Sequence, residues 1–263
     1  SVQSGPWSLG ATWSSTEVPT ACNEVAISQS DTVTVDITTA AASTTTINGT
    51  LSFSRTQHSS FTVVGGSVTV APTGWLDMGT EASVIPLGTS AHLVLAYGSG
   101  ATRFGLTIEN GGDFTLRGAT KTPWGYAVAS ILGGDTSLSV SASSSTNWVV
   151  GDIITIGPTS RLTNGTGPNS VWLATITAVG GADPKAFTFA PATPAGSHRI
   201  LTATSSIIVS NLTRNVLVRS SGTDTAAGGN SAYLSNLAQN ATSFDLRYGE
   251  FAYIGANIAG KEG

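Results

Sequence analysis

Residues 111–116 read Gly-Gly-Asp-Phe-Thr-Leu: a glycine, one residue, then two apolar residues two positions apart. The same pattern recurs three times in the preceding part of the chain, as Asn48-Gly-Thr-Leu-Ser-Phe53, Gly65-Gly-Ser-Val-Thr-Val70 and Thr73-Gly-Trp-Leu-Asp-Met78. We expect the glycine to supply a left-handed corner, since it has no Cβ. The alternating pair then places both apolar side chains on one face of the following strand.

Period-two alternation extends over most of the chain and predicts an all-β protein. No segment has a convincing helical period, and residues 226–239 carry the weakest pattern. The predicted strands cover 33–37, 51–53, 61–64, 68–70, 92–97, 104–108, 114–116, 138–140, 153–156, 172–179, 186–189, 207–209, 216–219, 244–248 and 251–254.

Short strands with glycine corners and no helices favour a solenoid, in which each coil buries its inner face against the next coil. A β-sandwich also has short strands with frequent turns, and it stays open as the alternative. A sandwich joined by hairpins requires Asn-Gly or Asp-Gly between paired strands. Asn48-Gly49 fits such a turn, but most connections are irregular. A loop-rich seam is expected near residues 159–167.

The composition suits a rigid extracellular β-protein. Only 10% of the 263 residues are charged, 40% are hydrophobic, and the formal net charge is −4. Lys and Arg are scattered, which argues against nucleic-acid binding. No apolar stretch is long enough to span a membrane. Cys22 is the single cysteine, so it forms no internal disulfide, and we expect it to be a small buried side chain.

Four Asn-x-Thr sequons are candidate N-glycosylation sites. The two Asn-Gly-Thr sites are expected to be exposed turns and the better acceptors. The four asparagines are Asn48, Asn164, Asn211 and Asn240.

The start of the chain resembles the opening of the G-eight domain, a family named for its eight glycines. The resemblance rests on Gly5-Pro-Trp-Ser-Leu-Gly-Ala-Thr-Trp13, Asp31-Thr-Val-Thr-Val-Asp36, Asn48-Gly-Thr-Leu-Ser-Phe53, Asp77-Met-Gly-Thr-Glu-Ala82, Glu109-Asn-Gly-Gly-Asp-Phe-Thr-Leu-Arg-Gly118 and Thr122-Pro-Trp124. Later segments are similar to the coils that follow this domain in the family: 147–156 with Trp-x-x-Gly-Asp, 211–220 with Leu-x-Arg-Asn-Val, and 247–255.

The resemblance implies a right-handed parallel β-helix with a β-rich N-terminal cap. We expect an eight-glycine-type β domain over residues 1–140 and continuing coils over 141–263. Relatives of this family include the cell-migration-inducing hyaluronidase, the transmembrane hyaluronidase and fibrocystin. In the hyaluronidase-like relatives the β-helix continues into a segment with closely spaced histidines. This chain stops at Gly263, about where that segment would begin, and this departure argues against catalysis, so we expect no catalytic residue.

The polar residues do not point to a self-sufficient active site, a metal or a cofactor. His58, His92 and His198 are far apart in sequence, whereas zinc needs three or four converging ligands. Asp77 and Glu81 have the spacing for a carboxylate pair, but we interpret them as turn-capping and solvated groups. Asp152 is expected to be a structural turn residue that accepts backbone N–H groups.

Aromatic and cationic side chains are the candidates for glycan binding, namely Trp75, Trp172 and Arg214. Asn215, next to Arg214, is interpreted as a turn-capping residue of a coil. Trp7 and Trp13 are expected in the core of the cap, and Trp124 and Trp148 in structural motifs.

Three hypotheses follow for function. The favoured one is a non-catalytic structural module of an extracellular, cell-surface or virion-surface assembly, such as a filament, adhesin or virion appendage, with head-to-tail or lateral contacts between copies. The others are a fragment of a hyaluronidase-like polysaccharide-degrading enzyme and a glycan-binding module.

Overall fold

The computed structural model describes residues 1–98, 102–157, 172–194, 198–199, 206–226, 229–238, 240 and 242–255. Regular structure in these residues is strand, apart from two short 3-10 turns at Gly10–Thr12 and Ala142–Ser144. The predicted all-β class is therefore confirmed. The chain forms two units: unit 1 comprises Ser1–Ala119 and Arg214–Gly263, and unit 2 comprises Thr120–Thr213.

Unit 1 contains sixteen strands among its described residues. They are β1 (Gly5–Pro6), β2 (Val25–Ile27), β3 (Thr32–Val35), β4 (Ala40–Ala42), β5 (Thr45–Ile47), β6 (Thr50–Phe53), β7 (Ser59–Val63), β8 (Val68–Val70), β9 (Trp75–Met78), β10 (Ala91–Leu95), β11 (Gly105–Ile108) and β12 (Asp113–Arg117), followed after unit 2 by β21 (Val216–Ser220), β22 (Tyr233–Asn236), β23 (Phe244–Arg247) and β24 (Glu250–Ala252).

These strands form three sheets in which the pairs of strands are parallel. Sheet A has the order β1-β3-β6-β9-β12-β23, sheet B the order β2-β5-β8-β11-β22, and sheet C the order β4-β7-β10-β21-β24. From β4 onward the chain visits sheets C, B and A in turn, and repeats this cycle. Asn48-Gly49 accordingly leads from β5 in sheet B to β6 in sheet A, and not through a hairpin.

Parallel registration stacks equivalent apolar residues above one another to make the core of unit 1. In sheet A one such column runs through Val33, Leu51, Leu76, Phe114 and Phe244. The first four are fully buried. The apolar pairs of all four repeated motifs point inward, as the alternation predicted.

Two of the four motifs begin with a left-handed glycine, as expected: Gly65 has a φ of 65° and Gly111 a φ of 100°. In the other two motifs glycine is required for a different reason. Gly49 and Gly74 precede equivalent strands of sheet A, and neither has a positive φ. A Cβ on Gly49 would lie 2.0 Å from the carbonyl oxygen of Ser28, and one on Gly74 would lie 1.9 Å from that of Ile47. Glycine is required there because the backbone of the preceding segment passes too close for any side chain.

Unit 2 is built differently. Its strands are β13 (Trp124–Tyr126), β14 (Ile131–Leu132), β15 (Ser137–Val140), β16 (Ile153–Ile156), β17 (Trp172–Gly180), β18 (Lys185–Ala190), β19 (His198–Arg199) and β20 (Ile208–Asn211). Six of them form an antiparallel sheet, sheet D, in the order β13-β20-β16-β17-β18-β15, and β14 pairs with β19. Unit 2 has its own core around Trp148, Phe187 and Phe189.

This organisation differs from continuous coils over 141–263. The expected boundary after residue 140 falls at the end of β15, inside unit 2. Parallel strands resume only at β21, after the antiparallel unit is complete. The seam expected near 159–167 lies outside the described residues.

Candidate functional site

A polar stripe crosses the outward face of sheet A, because residues between the inward apolar pairs come into register. It consists of Thr34, Ser52, Asp77, Thr115 and Asp245 on five neighbouring strands. Within the stripe, the hydroxyl of Ser52 donates to Oδ2 of Asp77 at 3.0 Å. The stripe brings together polar residues that are up to 211 positions apart in sequence, from Thr34 to Asp245.

Asp77 is held in this stripe by several donors. Nη2 of Arg55 lies 2.6 Å from its Oδ1, and the backbone N–H of Gly79 donates to the same oxygen at 2.9 Å. The Gly79 contact is the turn capping that the sequence predicted. Glu81 has a side chain that is 82% exposed, and it faces Nη1 of Arg117 at 3.4 Å. The two carboxylates thus have separate cationic partners.

Trp75 borders an open groove of about 460 Å³ on the same face. Its indole is partly exposed, and Nε1 donates to Oγ1 of Thr115 at 2.9 Å. Other lining residues are Thr34, Ser52, Arg55, Asp77 and Ser83. The groove therefore offers one aromatic ring beside hydroxyl, carboxylate and guanidinium groups.

At the far end of the stripe, Asp245 pairs with arginines. Nη2 of Arg117 lies 2.7 Å from Oδ2 of Asp245, and Nε of Arg247 lies 3.2 Å from its Oδ1. The hydrogen bond from Arg117 lowers the pKa of Asp245, and the same bond raises the pKa of Arg117. Asp245 therefore stays ionised in this arrangement.

His92 lies on the outward face of sheet C, and His58 immediately precedes β7 of the same sheet. His92 in β10 has a lowered pKa, first because it is partly buried, then because of the nearby charges of His58 and Arg219. Nδ1 of His58 lies 2.9 Å from the hydroxyl of Ser90. His58 and His92, distant in sequence, thus act on each other, while the side chain of His198 lies outside the described part. Within the described ranges no three His, Cys, Asp or Glu side chains are grouped to hold a metal ion.

Arg214 and Asn215 stand where the chain re-enters unit 1. Arg214 is partly buried, and together with Arg219 it opposes the rise in the pKa of Glu250 that burial causes. Asn215 has the structural position that the sequence predicted. Its Nδ2 lies within 2.9–3.1 Å of the carbonyl oxygens of Ile85, Pro86 and Thr89, and its Oδ1 accepts from N–H of Ala119 at 2.9 Å.

Trp124 and Trp172, in unit 2, do not have the expected exposure. Trp172 is buried against Phe189, with ring centroids 4.9 Å apart, so it offers no platform for a sugar. Trp124 is 46% exposed and packs edge-on against Tyr126. The exposure of Trp124 could have been predicted from the sequence. Trp124 and Tyr126 alternate with Gly125, so both aromatic side chains lie on the outer face of β13. Trp148 is buried, as expected.

The sequons differ in accessibility. Asn48 is partly buried, and Asn240 is exposed with its Oδ1 accepting from N–H and Oγ1 of Thr242 at 3.1 and 3.0 Å. Asn211 is buried, which leaves its amide inaccessible to glycosylation in the folded chain. Asn164 lies outside the described residues. The expectation for Cys22 is wrong, because the cysteine is exposed in the loop that precedes β2.

Asn211 belongs to a buried polar cluster in unit 2, with Lys121 and Asp152. Nζ of Lys121 lies 2.6 Å from Oδ1 of Asp152, and Nδ2 of Asn211 donates to Oδ2 of Asp152 at 2.7 Å. Backbone N–H of Val149 also donates to Oδ2, at 3.0 Å, as predicted for a structural turn. The sequence offered no sign that Lys121 is the partner of Asp152.

At the end of unit 1 formed by β22, β23 and β24, side chains aligned with the buried core are partly exposed to solvent. Phe251 of β24 is 39% exposed, whereas Phe61 and Leu93, which precede it in the same column, are fully buried. Leu234, Phe244, Leu246 and Ile254 are partly exposed around it, and the recess between them measures about 570 Å³. We call this surface the open end; its residues are Leu234, Phe244, Leu246, Phe251, Tyr253 and Ile254.

The N-terminal end of unit 1 is closed by contrast. Trp7 and Trp13 are buried and pack edge-to-face, with ring centroids 4.7 Å apart. Trp7 also contacts Phe61, at 4.8 Å between centroids. These two tryptophans are cap core, as expected, although the segment before β2 contains only the two-residue β1 and one 3-10 turn.

No helix of the described residues is long and apolar enough to cross a membrane. Comparison of the chain with curated proteins gave no match. The family model of the G8 domain matches residues 12–126, a range that begins in the cap and ends with β13. This part of the chain, residues 12–126, is therefore similar to the G8 domain.

Proposed function

We propose that this chain is a non-catalytic structural module of an extracellular or surface assembly, such as a filament, adhesin or virion appendage. The observation that carries the proposal is the open end of unit 1. A charge-poor composition, with 10% charged residues, and stacked β-strands suit a rigid scaffold.

We further propose that unit 1 is a right-handed parallel β-helix. The repeated passage through sheets C, B and A supports coiling, since each return places a strand beside its equivalent in the previous coil. Right-handedness is the expected hand for parallel strands joined by crossovers. Unit 2 then interrupts the solenoid between β12 and β21, and the next coil begins at β21.

The open end is suited to stacking on another coil. Its apolar side chains occupy the same columns as the buried core, so a further coil would bury them in the same way. The strands β22, β23 and β24 are also edge strands, and exposed edges pair readily with other chains. We propose that a second copy covers this surface in a head-to-tail contact.

Light scattering after size-exclusion chromatography, over a range of protein concentrations, tests this proposal. The wild-type chain should form dimers or longer species as concentration rises. Phe251→Asp should weaken association tenfold or more, because burial of a phenylalanine contributes about 2 kcal/mol and 1.4 kcal/mol is tenfold.

Val150→Asp is the matched control, since Val150 is a highly exposed apolar residue of unit 2, outside the open end. It should associate like the wild type. A wild-type chain that is monomeric at every concentration, or equal effects of the two substitutions, would contradict the proposed contact.

The Trp75 groove favours a second candidate function, saccharide binding without cleavage. A partly exposed indole beside Arg55, Asp77 and Ser52 combines a stacking surface with hydrogen-bonding groups. Trp75→Ala should abolish retention on a glycan array that includes hyaluronan, and Trp124→Ala, at an exposed aromatic of unit 2, should not. Loss of binding in Trp124→Ala alone would refute the assignment, and release of shortened hyaluronan by the wild-type chain would favour the enzyme hypothesis.

A further inference from the structure

The buried cluster of Lys121, Asp152 and Asn211 places an amine and a carboxamide on one carboxylate. Each of the three residues is at least 95% buried. Oδ1 of Asp152 contacts Nζ of Lys121 at 2.6 Å, while Oδ2 accepts from Nδ2 of Asn211 at 2.7 Å. An amine, an amide and a bridging proton carrier are the groups required for an amide exchange reaction.

The carbonyl of the Asn211 side chain is also polarised. Its Oδ1 accepts from the backbone N–H of Thr213 at 3.0 Å. An N–H group aimed at a carbonyl oxygen stabilises the negative charge that develops there when a nucleophile adds to the carbon. The leaving nitrogen and the carbonyl oxygen of Asn211 thus each have a partner of the appropriate kind.

We propose that Nζ of Lys121 and Cγ of Asn211 form an intramolecular amide cross-link, with loss of ammonia. Asp152 first accepts a proton from the ammonium group of Lys121. The amine then attacks Cγ of Asn211, and the carbonyl electron pair moves to Oδ1, opposite the N–H of Thr213.

Proton exchange through Asp152 completes the reaction. Asp152 gives its proton to Nδ2 and takes one from the attacking nitrogen. The carbonyl reforms, the bond from Cγ to Nδ2 breaks, and ammonia leaves. The products are a secondary amide, ammonia and the protonated Asp152, so the reaction needs no oxidant, metal or other co-reactant. It also replaces a buried ion pair by neutral groups, which lowers the desolvation cost of the cluster.

The position of this bond would allow it to carry mechanical force. The chain enters unit 2 at Thr120 and leaves it at Thr213, and the cross-link joins residues 121 and 211. Tension along the chain would then pass through the bond, and the strands between these residues would be protected from unfolding. Formation of this bond does not require association between copies.

The intact mass of the folded, then denatured, wild-type chain tests the proposal. We expect a mass about 17 Da below that of the sequence, and a branched peptide joining residues 121 and 211 after proteolysis. Lys121→Arg and Asp152→Asn should show no deficit, and Lys185→Arg, at a lysine of β18, should keep it.

Three results would overturn the proposal. The first is a wild-type chain with the full mass of its sequence, a result that does not depend on whether any variant folds. The second is a deficit of about 18 Da with a branched peptide joining 121 and 152, which indicates loss of water to Asp152. The third is a deficit that persists in Lys121→Arg, which places the ammonia loss at another asparagine.

Discussion

Asn215 should be one of the polar residues of unit 1 at which substitution is most destabilising, because it holds the segment in which the chain re-enters unit 1 after unit 2. Its side chain contacts Ile85, Pro86 and Thr89, which are 126–130 residues earlier in sequence, as well as Ala119. Its own carbonyl accepts from N–H of Ala91, at the start of β10, at 3.0 Å. The side chain and the backbone of Asn215 thus connect the start of β21 to the segment that leads into β10.

The expected loss in the free energy of unfolding for Asn215→Ala follows from the hydrogen bonds that a side-chain amide can make. Two N–H groups and one oxygen support three hydrogen bonds of about 1 kcal/mol each. The N–H of Ala119, a buried residue, would lose its acceptor, which adds about 1–2 kcal/mol. We expect a loss of about 4 kcal/mol in the free energy of unfolding, a large part of the stability of a typical domain.

Urea unfolding followed by circular dichroism measures this loss, and hydrogen exchange locates it. Exchange should accelerate in β10 and β21. Asn215→Asp should be at least as destabilising, since a carboxylate oxygen would face three carbonyl oxygens. Asn236→Ala, at an exposed asparagine that accepts one bond from Ala238, should cost about 0.5 kcal/mol. Equal costs for Asn215→Ala and Asn236→Ala, or a tolerated Asn215→Asp, would refute the reasoning.

Two further predictions concern backbone packing and pH. Gly74→Ala should lower the free energy of unfolding by about 3 kcal/mol, because its Cβ would lie 1.9 Å from the carbonyl oxygen of Ile47. Gly180→Ala, at a glycine with open space around it, should change that free energy by less than about 0.5 kcal/mol. Similar losses in the two variants would contradict close packing of the backbone at Gly74. Because the pKa of His92 is lowered, the folded chain binds a proton at this residue less readily than the unfolded chain does. The contribution of neutral His92 to the free energy of unfolding is therefore fully present above the ordinary histidine pKa of about 6.5, and it is lost as the pH falls below that value. His92→Gln should reduce the drop in the urea midpoint between pH 7.5 and 5.5, and an unchanged drop would contradict this assignment.

Local pattern was sufficient for strands with large alternating apolar side chains, whereas no range was predicted for β1, β2, β4, β5, β13, β14, β19 and β22. Leu51 and Phe53, or Phe114 and Leu116, alternate with polar residues, and alternation alone decides which side chains point inward. β4 escaped prediction because Ala40–Ala42 lacks large apolar side chains, although both ends of this strand are buried.

The pairing of the strands could not be predicted from the local sequence pattern. Ile153–Ile156 alternates like the strands of unit 1, yet it pairs antiparallel with β17 and β20. The direction of pairing depends on contacts between residues far apart in sequence, and the same is true of the sites. The turn role of Asp152 was visible from Gly151, whereas its contact with Lys121 depends on how the segments before β13 and before β16 pack.

Hydrogen exchange in β22, β23 and β24, measured at low and high protein concentration, tests the proposed stacking most directly. Covering the open end would give the edge strands new partners, so we predict slower exchange at high concentration, concentrated in residues 233–254. The exchange of sheet D should stay the same. Exchange in 233–254 that does not depend on concentration, or protection that arises in sheet D instead, would contradict the account.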